Sequence, residues 1–78
     1  MAERMISIGS YVTLNDVRRI VDTVKRMDTE DQLVVSMNSQ NSFEAQNIFS
    51  VLERNDFEWS TKGGHDGRDY YIIARKKM

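Results

Sequence analysis

Leu14, Val17, Ile20, Val21, Val24 and Met27 recur at helical spacing, and Asp16, Arg18, Arg19, Asp22, Lys25 and Arg26 fill the gaps. That spacing lays one apolar stripe along an amphipathic helix and predicts a helix over 14–27. Thr13, with an acid three residues later at Asp16, marks its start as a capping-box-like pair, although Glu or Gln is the usual partner. The flanking segments are patterned for strands. In Met5 to Tyr11, Ile6 and Ile8 fall on one side and Ser7 on the other, with Gly9 near the end. After a polar turn over Asp28–Asp31 comes Leu33-Val34-Val35-Ser36-Met37, too short for a helix and rich in strand formers. It reads as a central strand. A strand, a helix and a second strand in succession imply a right-handed parallel crossover.

The second half adds a helix and a hairpin. Asn38 to Ser42 is a polar loop in which Asn41 or Ser42 can cap the next helix, with Glu44 as a favourable first-turn acid. Phe43, Ala45, Ile48, Phe49 and Leu52 give that helix its stripe, through about Arg54. Phe57 and Trp59 alternate with Glu58 and Ser60 in a third strand. Lys62 to Gly67 forms a glycine-rich turn, and Arg68 to Arg75 a fourth strand antiparallel to the third. Lys76, Lys77 and Met78 make a basic tail. The element order is βαβαββ, without repeats or linkers. Two helices cannot cover both faces of four strands. The expected fold class is therefore an α/β two-layer sandwich, a mixed four-stranded sheet with two helices on one face, forming a single domain over 1–78.

This order and spacing resembles the TusA/SirA sulfur-carrier family over nearly the whole chain, from Ile6 to Lys76. The resemblance rests on the first strand, the helix ending in Val24-Lys25-Arg26-Met27, the turn and strand Asp28 to Val35, the polar loop and second helix, and the final Tyr70 to Lys76. It implies the two-layer βαβαββ fold. The family's defining Cys-Pro-x-Pro motif is missing: Thr13-Leu14-Asn15-Asp16 stands in its place, with Thr13 at the position of the cysteine. A threonine cannot carry a persulfide, so the resemblance implies the fold and withholds the family activity.

Composition narrows the chemistry further. The chain has no cysteine, which excludes disulfides, thiolate catalysis and cysteine-zinc sites. A secreted domain of 78 residues would usually need disulfide staples, so a reducing, cytoplasmic setting is expected. The polar Met1-Ala2-Glu3-Arg4 does not read as a signal peptide, and no apolar run approaches membrane-spanning length, so no membrane partner is expected. A net charge of −1 argues against strong nonspecific nucleic-acid binding.

Each candidate site has a plain structural alternative. Thr13 could be a nucleophile at a helix start, but a nucleophilic hydroxyl needs an adjacent base and the one histidine is far away in sequence; a helix cap is the better reading. His65 with Asp66 and Asp69 could bind a metal, but one histidine and two acids on a glycine-rich turn reads better as a solvated loop. Gly63 to Gly67 could cradle a phosphate, yet phosphate loops lead into a helix, and this one joins two strands. Lys62, Arg68, Arg75, Lys76 and Lys77, with Trp59, Tyr70 and Tyr71 nearby, could hold a single-stranded nucleic acid by charge and stacking.

The uncovered sheet face is the remaining surface. If Ile6, Ile8, Phe57 and Trp59 face the helices, Ser7, Glu58 and Ser60 face outward. Val34 or Val35 joins them, with either Tyr71 and Ile73 or Tyr70 and Ile72. The expected function is a non-enzymatic binding or regulatory module acting through protein–protein interaction or self-association, with no catalytic, cofactor-binding or metal residues. Its candidate contacts are Lys62, His65, Arg68, Tyr71, Ile73, Arg75 and Lys76. The alternative is an RNA- or nucleic-acid-binding accessory protein using the last hairpin.

Overall fold

Thr13 starts the first helix in the computed structural model, which describes residues 3–8, 11–38, 45–63 and 69–77. Its backbone is extended (φ −97°, ψ 166°), and its hydroxyl oxygen accepts the Asp16 N–H at 3.2 Å. Asp16 Oδ2 in turn accepts the Thr13 N–H at 3.0 Å. This reciprocal pair is a capping box with Asp as the reaching acid; it satisfies N–H groups that a helix start leaves without partners. Helix α1 then runs Leu14–Arg26, with Lys25 and Arg26 in its last turn, where the helix dipole favours cations. Met27 is its buried C-cap.

Around α1 the order is β1 (Glu3–Ser7), β2 (Gln32–Asn38), α2 (Ala45–Arg54), β3 (Phe57–Gly63) and β4 (Asp69–Lys76). The turn before β2 is closed by Asp31, whose N–H donates to the Asp28 carbonyl at 3.0 Å while its buried carboxylate accepts the Asp28 N–H at 3.0 Å. At the end of α2, Asn55 donates its backbone N–H and its side-chain amide to the Val51 carbonyl, and Asp56 adopts φ 61°. Asp tolerates this left-handed conformation better than most residues, which allows an immediate turn into β3.

The four strands form one mixed sheet in the order β1-β2-β4-β3. The β1–β2 pair is parallel, as the helical crossover requires, and β4 is antiparallel to both β2 and β3. Ile6, Ile8, Leu33, Val35, Met37, Phe57, Ile72 and Ala74 face Ile20 and Val24 of α1 and Ala45, Ile48 and Leu52 of α2 in one core. Both helices therefore lie on one face, and the chain is an α/β two-layer sandwich.

Several boundaries differ from the sequence expectation. The first strand ends at Ser7 rather than reaching Tyr11, although the Ile8 N–H still bonds the Ser36 carbonyl at 2.8 Å; Tyr11 is exposed. Lys62 and Gly63, expected in the turn, extend β3 because Tyr71 and Tyr70 pair with them. Leu14, counted in the helix stripe, is 70% exposed: it opens α1 and lies over an open groove. The expected caps Asn41 and Ser42, and Phe43 and Glu44 beside them, lie outside the described residues.

Candidate interaction surface

The register of β4 decides what the uncovered face carries. Leu33 pairs with Ala74, Val35 with Ile72 and Met37 with Tyr70, so Tyr70, Ile72 and Ala74 point to the helices. The alternate residues Tyr71, Ile73 and Arg75 therefore point away from them. On β3 the same parity turns Phe57, Trp59 and Thr61 inward and Glu58, Ser60 and Lys62 outward.

Read across the strands, the outward residues fall into rows. Met5, Val34, Ile73 and Ser60 form an apolar row with one hydroxyl at its end. Glu3, Gln32, Arg75 and Glu58 form a charged row on one side of it. Ser7, Ser36, Tyr71 and Lys62 form a polar row on the other. Within that row, the Ser36 hydroxyl donates to Ser7 Oγ at 3.3 Å. The Tyr71 hydroxyl reaches Asp69 Oδ2 at 3.5 Å, a long and weak contact. Met5 is 63% exposed, whereas Val34 at the centre is only 9% exposed between its neighbours. A shallow hollow lies at the β3–β4 end of the face, lined by Glu58, Trp59, Ser60, Ile73 and Arg75.

Of the residues expected to make contacts, Lys62, Tyr71, Ile73 and Arg75 come together on this open face. Lys76 is exposed on the helix-side parity of β4, opposite Phe57, and is off that face. His65 and Arg68 lie outside the described residues, as do Asp66 and most of the glycine-rich turn. Met5 was the residue sequence reasoning missed. Placing Ile6 and Ile8 inward already implies that Met5 points outward.

The aromatic residues divide between the two faces. Trp59 stacks on Phe49 of α2, with ring centroids 5.3 Å apart and planes 9° from parallel. Tyr70 packs against the core, leaving Tyr71 as the one member of the expected aromatic set on the open face.

The Thr13 hydroxyl is engaged in the cap on both counts, accepting from Asp16 N–H and donating to Asp16 Oδ2 at 2.9 Å. Asp16 also lies 3.5 Å from the Arg19 guanidinium. This is the arrangement of a helix cap. Among the described residues, no group of three or more His, Cys, Asp or Glu could hold a metal ion, and no helix is long and apolar enough to cross a membrane. In comparisons with known proteins, no family model matches the chain, and neither a curated protein nor a solved structure gives a significant match.

Proposed function

We propose that this chain is a small non-enzymatic binding module that engages a protein partner through the open face of its sheet, on a sulfur-carrier-like framework that carries no sulfur. The observation behind this reading is the transverse row Met5, Val34 and Ile73, bordered by Tyr71 and Arg75 and covered by no element among the described residues. An apolar strip edged by polar and charged groups is the usual anatomy of a protein-binding surface, with an aromatic residue and an arginine at its margin. The likeness to sulfur carriers draws support from the element order, the mixed sheet and the helix start at Thr13, where a threonine has no thiol to donate.

The division of the aromatics argues against the nucleic-acid alternative. Stacking platforms for single strands need several rings on one open surface. Here Trp59 and Tyr70 serve the helix side, and Glu3, Glu58 and Asp69 place negative charge around Tyr71, Lys62 and Arg75.

The test is a pull-down from the native host with the wild type and Ile73→Glu, each with and without nuclease. A protein retained by the wild type in the presence of nuclease and lost with the folded Ile73→Glu variant fits this reading. Capture that disappears on nuclease treatment would favour the nucleic-acid alternative. A companion assay with a cysteine desulfurase and labelled cysteine should leave the chain unlabelled; stable covalent sulfur would overturn the exclusion of sulfur carriage.

A further inference from the structure

Among the described residues, β1 and β3 are the edge strands of the sheet, and each pairs with a strand on one side alone. An edge strand presents unpaired N–H and C=O groups, and proteins usually blunt it with charges, bulges or proline. β3 is seven residues long, has no proline and keeps an unbroken register with β4 from Phe57 to Gly63. Its charged outward side chains, Glu58 and Lys62, are both exposed and stand symmetrically about Ser60.

That symmetry gives the edge a self-complementary pattern. In an antiparallel pair of two β3 strands with full overlap, Ser60 meets Ser60 of the second copy. Glu58 then stands opposite Lys62, Trp59 opposite Thr61, and Phe57 opposite Gly63. Each attractive charge pair occurs twice, as in any two-fold isologous contact. Other alignments lose this. Centring on Glu58 or on Lys62 sets like charges face to face, and centring on Trp59 shortens the overlap to residues 57–61. The other edge lacks the property: β1 folded on itself about Met5 would set Glu3 against Ser7 and Arg4 against Ile6.

We infer that β3 pairs antiparallel with β3 of a second copy about Ser60, joining two sheets into one of eight strands. The partner is another molecule of this chain, selected by the Glu58–Lys62 exchange. The open-face rows run on through the seam: Met5, Val34, Ile73 and Ser60 meet Ser60, Ile73, Val34 and Met5 of the second copy. The charged row meets the polar row, so that Arg75, Glu58, Lys62 and Tyr71 follow one another. The half-buried Trp59, stacked on Phe49, lies beside the seam on the helix side, where Thr61 of the second copy covers it. The pairing occupies the β3 edge and leaves Met5, Val34 and Ile73 open, so it stands independently of partner binding at the face.

Charge reversal tests the register. Sedimentation should show a concentration-dependent dimer for the wild type. Glu58→Lys sets two lysine side chains opposite each other across the seam, and Lys62→Glu sets two acids opposite each other, so each variant alone should dimerise about tenfold or more weakly. Mixed one to one, the two restore both opposite pairs and should form a heterodimer. Because the chain has no cysteine, Ser60→Cys gives an unambiguous second reading: the two side chains at the dyad lie about 4.5–5.5 Å apart between β-carbons and should link under mild oxidation at dilute concentrations. Glu53→Cys, on the exposed side of α2, serves as control. Melting curves confirm that each variant is folded. A wild type that stays monomeric, with Ser60→Cys linking no faster than Glu53→Cys, overturns the inference. So does a dimer indifferent to both charge reversals. Ile73→Glu should leave the dimer intact, which separates this test from that of the open face.

Discussion

Thr13 and Asp16 hold the start of α1 by exchanging hydrogen bonds, and Arg19 stands close to the same carboxylate. Removing the hydroxyl frees the Asp16 N–H and leaves the carboxylate with the Thr13 N–H alone in the cap. Thr13→Ala should therefore cost about 0.5–2 kcal/mol, and Thr13→Ser much less, because serine caps as well as threonine. Urea unfolding reads both; an unchanged midpoint for Thr13→Ala would mean that the cap adds nothing to stability. Asp56 poses the opposite case. Its φ of 61° is a conformation that costs an ordinary L-residue about 1–2 kcal/mol and glycine almost nothing. Asp56→Gly should be neutral or slightly stabilising in a thermal melt, and Asp56→Val should be destabilising. Equal melting temperatures for the two variants would remove backbone conformation as the reason for an Asp there.

Among the elements, β2 and β4 are the two central strands, and β4 pairs with β2 on one side and β3 on the other. Both parities of β4 are apolar, so alternation alone cannot tell which faces the helices. The decision comes from the register: Ile72 opposite Val35 and Ala74 opposite Leu33 complete a layer in which all four residues are fully buried. A helix start is easier to read, since Thr13, Asp16 and the stripe from Val17 are all local signals, and α1 ends within one residue of expectation. Strand ends are set by partners distant in sequence, which is why β1 stops short of Tyr11 and β3 runs on to Gly63. The site divides in the same way. Lys62, Tyr71, Ile73 and Arg75 were legible as strand residues of suitable chemistry, but their meeting with Met5 and Val34 depends on the strand order. A charge at Ile72 has no partner within the core and should give unfolded protein, since an uncompensated buried charge exceeds what so small a core supplies. Ile73→Glu should stay folded and melt within a few degrees of the wild type. Circular dichroism melts of the two variants check this, and an unfolded Ile73→Glu would mean that the outward face is also structural.

At the scale of the whole molecule, the sheet is closed by its most distant partners in sequence. β1 and β2 are joined through α1, and β3 and β4 are consecutive, but β2 and β4 meet only after α2 and β3 have been placed between them in the chain. Until that central pair forms, Leu33, Val35, Ile72 and Ala74 have no common layer and α2 has no continuous sheet to cover. The two halves should therefore be unstable apart, and the β2–β4 ladder should open only with global unfolding. Native-state hydrogen exchange makes this specific. Backbone amides of Leu33 to Met37 and Ile72 to Ala74 that bond between β2 and β4 should be the slowest, with protection matching the global unfolding free energy. The five-residue strand β1, paired on one side, should exchange faster. The measurement belongs at low protein concentration, where pairing of β3 edges adds no protection of its own. If β1 amides proved as slow as the centre, the crossover β1-α1-β2 would be part of the same final unit. If β2 and β4 exchanged faster than β3, the hairpin and not the central pair would be the last structure to open.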